Sequence, residues 1–97
     1  MITSSRIWLI TGVSSGIGRA LALQAARDGD IVFGTLRKTD QVQKFNDLVH
    51  GKTFGMELDV NDHRQISLVI THILDQFGRI DVLVNNAGYG LFGAVEE

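Results

Sequence analysis

The sequence lacks cysteine and proline altogether, and its 97 residues contain no apolar run long enough to cross a membrane. Without cysteine there are no disulfides and no thiolate metal sites, which suits a reducing compartment. The amino terminus also lacks the small-residue cleavage site of a signal peptide. We therefore expect a cytoplasmic protein with no membrane partner.

The sequence also lacks an excess of positive charge. Nine Lys and Arg residues face eleven Asp and Glu residues, giving a formal net charge of −2, so a nucleic-acid partner is disfavoured. The apolar content of 44% is that of an ordinary globular domain. The three histidines fall on predicted helices and loops, form no plausible metal cluster and are expected at the surface: His50, His63 and His72.

Strand and helix patterns alternate along the whole chain. Short apolar runs predict strands over residues 6–11, 31–36, 52–59 and 81–85. Helical patterns begin at Gly16, at Thr39 or Asp40 as candidate caps, and at Asp62 with Gln65 as a capping box, and they end at Gly29, Gly51 and Gly78. On the first helix we expect one apolar face from Ile17, Ala20, Leu21, Gln24 and Ala25. Alternation of this kind predicts an α/β fold with a parallel sheet covered on both faces.

A glycine-rich turn, TGVSSGIG at residues 11–18, joins the first strand to the first helix. Glycines permit a sharp reversal and close approach of a ligand to the backbone, and the free N–H groups of the helix can bind a pyrophosphate. Ser14 and Ser15 could add hydroxyl donors. The G-x3-G-x-G spacing departs from the G-x-G-x-x-G dinucleotide fingerprint, and no Lys-Ser/Thr pair makes a Walker loop. Alternatively, the glycines only aid packing.

Polar residues also follow the third and fourth predicted strands. Asp59-Val60 closes the third, and NNAG at residues 85–88 closes the fourth, so both lie at the same sheet edge as the glycine turn. Asp59 could accept from an adenine amino group, or merely form a turn before Asp62. Asn85 and Asn86 could bind a ligand, or bond only to neighbouring backbone.

These three motifs, at these relative positions, resemble those of the classical short-chain dehydrogenases/reductases. The resemblance implies a Rossmann-type doubly wound parallel sheet of about four strands, in the order 3-2-1-4. It also implies cofactor-binding residues. The phosphates would be surrounded by Gly12, Ser14, Ser15, Gly16, Ile17 and Gly18, the adenine would meet Asp59 and Val60, and the adenosine ribose side would be lined by Asn85, Ala87 and Gly88. Asn86 would mainly tie strands together.

The end of the second strand bears on the choice of cofactor. An NAD enzyme has an acidic residue there, where this chain has Leu36. Arg37 follows directly, and a guanidinium suits the 2′-phosphate of NADP. Alternatively, Arg37 and Lys38 are only solvated charges in the loop before the second helix. NADP is therefore favoured, with NAD as the alternative if Asp40 serves as the acid. Ser15, before Gly16, offers the phosphate no second basic residue.

No catalytic residue can be assigned. The family's Y-x-x-x-K pair is absent, since the single tyrosine, Tyr89, is followed by Gly90, Leu91, Phe92 and Gly93. We therefore interpret residues 1–97 as the amino-terminal part of a dinucleotide-binding domain, truncated before its catalytic half and inactive alone. The resemblance implies a complete oxidoreductase that acts on a small alcohol or carbonyl as a homo-oligomer. The alternative is a non-catalytic nucleotide-binding sensor or an inactive fragment.

Overall fold

The computed structural model describes residues 5–14 and 16–86, which form one parallel sheet flanked by helices. The strands are β1 (Ile7–Ile10), β2 (Ile31–Leu36), β3 (Thr53–Glu57) and β4 (Val82–Val84), and the helices are α1 (Gly16–Arg27), α2 (Thr39–Asn46) and α3 (His63–Phe77). The strand order is β3-β2-β1-β4, with all three pairings parallel. The predicted partial Rossmann fold is confirmed.

Alternate residues of the central strands face opposite sides of the sheet. One side packs against α1 and α2, and we call its buried residues the α1/α2 cluster: Ile10, Val13, Ala22, Ala25, Ala26, Val32, Leu36, Phe45 and Val84. The other side packs against α3, and its buried residues form the α3 cluster: Ile7, Leu9, Phe33, Leu58, Val69 and Ile73. Since both faces are covered, the central strands are apolar nearly throughout, as buried parallel strands are.

The buried face of α1 differs from the predicted one. The helix buries Gly18, Ala22, Ala25 and Ala26, whereas Ile17 is 77% exposed and Ala20 and Gln24 are exposed too. The buried residues are all glycine or alanine, and a Cβ at Gly18 would be 2.2 Å from the Gly12 carbonyl oxygen, so this face begins too close to the glycine turn for a larger side chain. Of the predicted stripe, only Ala25 is fully buried, and Leu21 packs at the margin of the α1/α2 cluster.

The predicted N-cap and the predicted end of α2 both need correction. Its N-cap is Lys38, without a side-chain capping bond, and Thr39 Oγ1 donates to Glu57 Oε1 at 2.7 Å instead. The helix ends at Asn46 rather than near Gly51. There the buried Thr53 hydroxyl donates to the Phe45 carbonyl at 2.7 Å, fastening the helix end to the start of β3.

The start and end of α3 agree with the prediction. Asp62 is the N-cap and accepts from the Arg64 N–H at 3.0 Å, and Gly78 ends the helix. Gln65 does not complete a capping box with the Asp62 N–H. Its Oε1 accepts from the Asp59 N–H at 3.0 Å, and its Nε2 donates to Asp62 Oδ2 at 3.1 Å. Gln65 thereby links the helix to the chain that follows β3.

No helix within the described ranges is both long enough and apolar enough to cross a membrane. The three histidines are exposed, as predicted. Nor does that part of the chain bring together three or more side chains able to hold a metal ion.

Candidate nucleotide-binding site

The carboxyl ends of the four strands meet at one edge of the sheet. The glycine turn follows β1, Arg37 follows β2, Asp59 follows β3, and Asn85 and Asn86 follow β4. Ligands of open α/β sheets bind in the crevice outside this edge, where the strand order reverses. Here the order reverses between β1 and β4, so the candidate residues are gathered where that rule places a ligand.

The glycine turn is held at its base by Thr35, a residue of β2. The Thr35 hydroxyl accepts from the Gly12 N–H at 3.0 Å, and its carbonyl accepts from the Val13 N–H at 3.1 Å. Gly12 has a φ of 74°, in the left-handed region that strains residues with a side chain. Thr35 is 1% exposed, so the turn is anchored on a buried group. The sequence patterns did not indicate Thr35, because a threonine inside a strand is ordinary.

Gly18 lets the first turn of α1 lie directly against the glycine turn and β4. A Cβ at this position would be 2.2 Å from the Gly12 carbonyl oxygen and 2.6 Å from Asn86 Nδ2. Real Cβ atoms do not approach neighbours so closely, and the Gly12 oxygen is backbone that cannot swing away. Gly18 therefore contributes by close packing and positions the N–H groups that begin α1.

Asn86 bridges β4 and the glycine turn. Its Nδ2 donates to the Gly12 carbonyl and its own N–H donates to Thr11 Oγ1, both at 2.9 Å. These bonds agree with the strand-tying role implied by the family resemblance. Asn85 is exposed, and its Oδ1 accepts from Thr11 Oγ1 at 3.3 Å. The two asparagines thus differ, since Asn86 fixes the turn whereas Asn85 is exposed after the end of β4.

The surface above the turn is open for an anion. Ser14, Gly16 and Ile17 are all exposed, and among the described residues beyond its chain neighbours a Cβ built on Gly16 would meet no atom within 4 Å. The free N–H groups at the start of a helix, with its positive dipole end, favour a phosphate there. Ser15, Ala87 and Gly88, which the sequence also placed at the site, lie outside the described residues.

A cavity of about 360 Å³ lies where β2 and β3 end, and we call it the β3-end cavity. This volume falls within the range of small-molecule sites. Its lining consists of Arg37, Glu57, Leu58, Asp59 and Gln65. One Asp59 carboxylate oxygen accepts from the Asn61 N–H at 2.9 Å, so Asp59 forms the turn considered above while remaining exposed beside the cavity. Val60 packs at the margin of the α3 cluster and does not line the cavity.

Arg37 is exposed and borders this cavity together with two carboxylates, those of Glu57 and Asp59. Over residues 5–14 and 16–86, the ion pairs are Arg6–Asp30 and Arg79–Asp81, both at the opposite edge of the sheet. The guanidinium of Arg37 is thus not committed to a partner and can contact a ligand. The two nearby acids nevertheless offset its charge.

The sequence matches the family described as short chain dehydrogenase over residues 6–97. An oxidoreductase from Botryotinia fuckeliana is 42% identical over 94 residues, which are 96% of this chain and 34% of that protein. A 3-oxoacyl-acyl-carrier-protein reductase from Escherichia coli is 41% identical over 83 residues, 86% of this chain and 34% of its own length. A 3-ketodihydrosphingosine reductase from Bacteroides thetaiotaomicron is 39% identical over 91 residues, 94% of this chain and 31% of its own.

Solved structures agree with this match. A short-chain dehydrogenase from Streptomyces avermitilis superposes with a TM-score of 0.82 at 43% identity, covering 91% of this chain and 32% of that one. Another, from Bacillus anthracis, gives 0.79 at 33% identity, covering 84% of this chain and 34% of its own. The chain thus spans about a third of the length of the proteins it matches.

Proposed function

Since this chain belongs to the short-chain dehydrogenase family, we propose that it forms the cofactor-binding part of an NADP(H)-dependent oxidoreductase that interconverts an alcohol and a carbonyl. The pyrophosphate would lie on the N–H groups that begin α1. The adenine would enter the β3-end cavity beside Asp59, and Asn85 would face the adenosine ribose.

The observation that carries this proposal is the packing of Gly18 against Gly12 and Asn86. It holds the glycine turn and the start of α1 in a fixed arrangement, with Ser14 and Gly16 exposed above it. A phosphate site of this kind gains affinity because its donors are ordered before the ligand arrives. A turn that merely connected two elements would need no such anchoring.

The nicotinamide would supply the hydride, and the protein's part is to hold and orient that ring. The described residues supply the anchor for the adenosine half. The substrate is proposed only as a class, an alcohol and its carbonyl, and the complete enzyme is proposed to be a homo-oligomer.

The preference for NADP rests on Arg37 and on Leu36, which stands where an NAD enzyme has an acidic residue. We expect Arg37→Ala to weaken NADPH binding by about ten-fold, since a charge-assisted hydrogen bond to phosphate is lost. NADH binding should change less than NADPH binding. The measurement is a calorimetric titration of both cofactors against the wild type and the variant.

Lys52→Ala provides a control, because this substitution also removes one positive charge. Lys52 donates to the Gly29 carbonyl at the far edge of the sheet, away from the candidate site. This control should leave the ratio of the two affinities unchanged. If Arg37→Ala also left the ratio unchanged, Arg37 would have no part in cofactor selection. If neither cofactor bound the wild type, the proposed function itself would be wrong.

A further inference from the structure

A second cavity, of about 160 Å³, opens beside the glycine turn on the α1/α2 side of the sheet. We call it the α1–α2 cavity, and its lining consists of Val13, Ser14, Arg19, Leu36, Gln41, Lys44 and Phe45. Its volume is several times the roughly 30 Å³ that a water molecule occupies in the liquid. It is therefore large enough to admit a phosphate group.

The position of this cavity relates it to the adenosine ribose. Leu36 ends β2, where NAD enzymes of this fold carry the acid that binds the ribose hydroxyls. Ser14 belongs to the glycine turn, where the pyrophosphate would lie. A ribose between these two residues would have its 2′ substituent close to the mouth of the α1–α2 cavity.

The charges of the two cavities differ in sign. The charged residues of the α1–α2 cavity are Arg19 and Lys44, both cations. Those of the β3-end cavity are Arg37, Glu57 and Asp59, so one cation is outweighed by two carboxylates. A phosphate monoester carries nearly two negative charges at neutral pH. The electrostatic balance therefore favours the α1–α2 cavity for such a group.

Arg19 and Lys44 are also available to a ligand. Both are exposed, and within the described part of the chain neither takes part in an ion pair or a side-chain hydrogen bond. They extend from different helices, α1 and α2, toward one cavity. Two like charges at one opening repel each other, and a bound anion would relieve that repulsion.

We propose that Arg19 and Lys44 bind the 2′-phosphate of NADP(H) in the α1–α2 cavity and select it over NAD(H). This inference rests on the proposed function and adds two selecting residues to it. They would supply the positive charge that Ser15 does not bring to the glycine turn. Arg37, which lines the β3-end cavity, would add a contact to the same phosphate from outside the α1–α2 cavity.

The test compares the Arg19→Gln and Lys44→Gln variants, singly and combined, in the full-length chain. Titration with NADPH and NADH should show the double variant losing about ten-fold in NADPH affinity, because two charge-assisted contacts are removed at a partly exposed site. The NADH affinity should change by less than about two-fold. Raising the salt concentration should reduce the difference in affinity between NADPH and NADH in the wild type. The reduction should be smaller in the double variant.

Arg27→Gln is the matched control, since it removes one positive charge from α1. Arg27 lies in the last turn of the helix and lines neither of the two cavities. Thermal melts would show that each variant is folded. Arg19→Lys should restore most of the NADPH affinity that Arg19→Gln loses. Competition by adenosine 2′-monophosphate should weaken in the double variant, while competition by adenosine 5′-monophosphate should not.

An unchanged ratio of NADPH to NADH affinity in a folded double variant would overturn this inference and leave the proposed dinucleotide site standing. Equal losses for both cofactors would overturn it too, since the two residues would then act on shared parts of the ligand. If the wild type bound neither cofactor, the proposed function and this inference would both be wrong.

Discussion

Replacing Gly18 with alanine should destabilise the protein by about 3 kcal/mol, at the upper end of the usual cost of overpacking. The added methyl group would lie 2.2 Å from the Gly12 carbonyl oxygen, so the glycine turn, α1 or β4 must shift. In an unconstrained helix the same change would instead stabilise by about 1 kcal/mol. Any loss of stability in Gly18→Ala therefore measures the cost of this close contact. Chemical denaturation of the wild type and the variant gives the difference.

Nucleotide binding should be affected at the same time. Because the shift displaces the N–H groups that begin α1, we expect at least a ten-fold loss of affinity for NADPH and NADH alike. Gly51→Ala is the control, since Gly51 has a φ of 81° but open space around its Cβ. It should cost about 1 kcal/mol through backbone strain and leave binding unchanged. Wild-type stability and affinity in Gly18→Ala would contradict the close contact described here.

Replacing Asp30 with alanine should cost about 2 kcal/mol of stability, because three partly buried hydrogen bonds to its carboxylate are lost. Asp30 is 7% exposed and lies at the sheet edge opposite the candidate site. Its carboxylate accepts from the Arg6 N–H at 3.0 Å, from Arg6 Nε at 3.3 Å and from the Trp8 indole at 2.9 Å. Urea denaturation at neutral pH measures the loss.

The same network predicts how stability depends on pH. Burial alone would raise the pKa of Asp30, but the hydrogen bonds from the Arg6 N–H and Trp8, with the Arg6 charge, lower the pKa below its ordinary value of 3.8. The folded state therefore holds this proton less tightly than the unfolded state. The stabilisation is complete above about pH 4 and is lost as the pH falls through the lower, folded-state pKa.

Asp28→Ala is the matched control for Asp30→Ala. Asp28 is exposed and bonds only to the neighbouring Gln24 side chain, so its loss should cost less than about 0.5 kcal/mol. The stability difference between wild type and Asp30→Ala should shrink in acid. A constant difference between pH 7 and pH 2 would show that the carboxylate charge does not contribute.

The topology could be predicted from the sequence because buried strands and amphipathic helices leave strong patterns. The apolar run of β2, from Ile31 to Leu36, and the caps of α3, Asp62 and Gly78, belong to this kind. Their alternation indicates parallel strands, and the family resemblance supplied the order that the structure confirms. These features depend on local periodicity, which is visible in a single sequence.

The parts that were missed depend on contacts between distant residues. The inner face of α1 begins at Gly18, which lies against the glycine turn, and this face buries small residues while Ile17 is exposed. The N-cap predicted for α2 was wrong, because the Thr39 hydroxyl donates to Glu57, eighteen residues away, rather than capping its own helix. Side-chain propensity alone cannot distinguish these outcomes.

The residues of the candidate site also divide into those that local sequence patterns indicate and those that depend on contacts between distant residues. Gly12, Gly18 and Asn86 were predicted, since turn glycines and the asparagines after a strand form a recognisable pattern. Thr35, Arg19 and Lys44 were not. Thr35 is one residue of a strand, and Arg19 and Lys44 look like ordinary solvated helix positions until the fold places both beside one cavity.

The most direct test of the account is a nuclear magnetic resonance titration that follows backbone amides as NADPH is added. If the pyrophosphate binds at the start of α1, the amide signals of Gly12, Gly16 and Gly18 should shift most and should saturate together. Gly51, in the turn before β3, and Gly78, which ends α3, should scarcely move. Saturating NADPH that left the three turn signals in place would contradict the central claim, even if other residues responded.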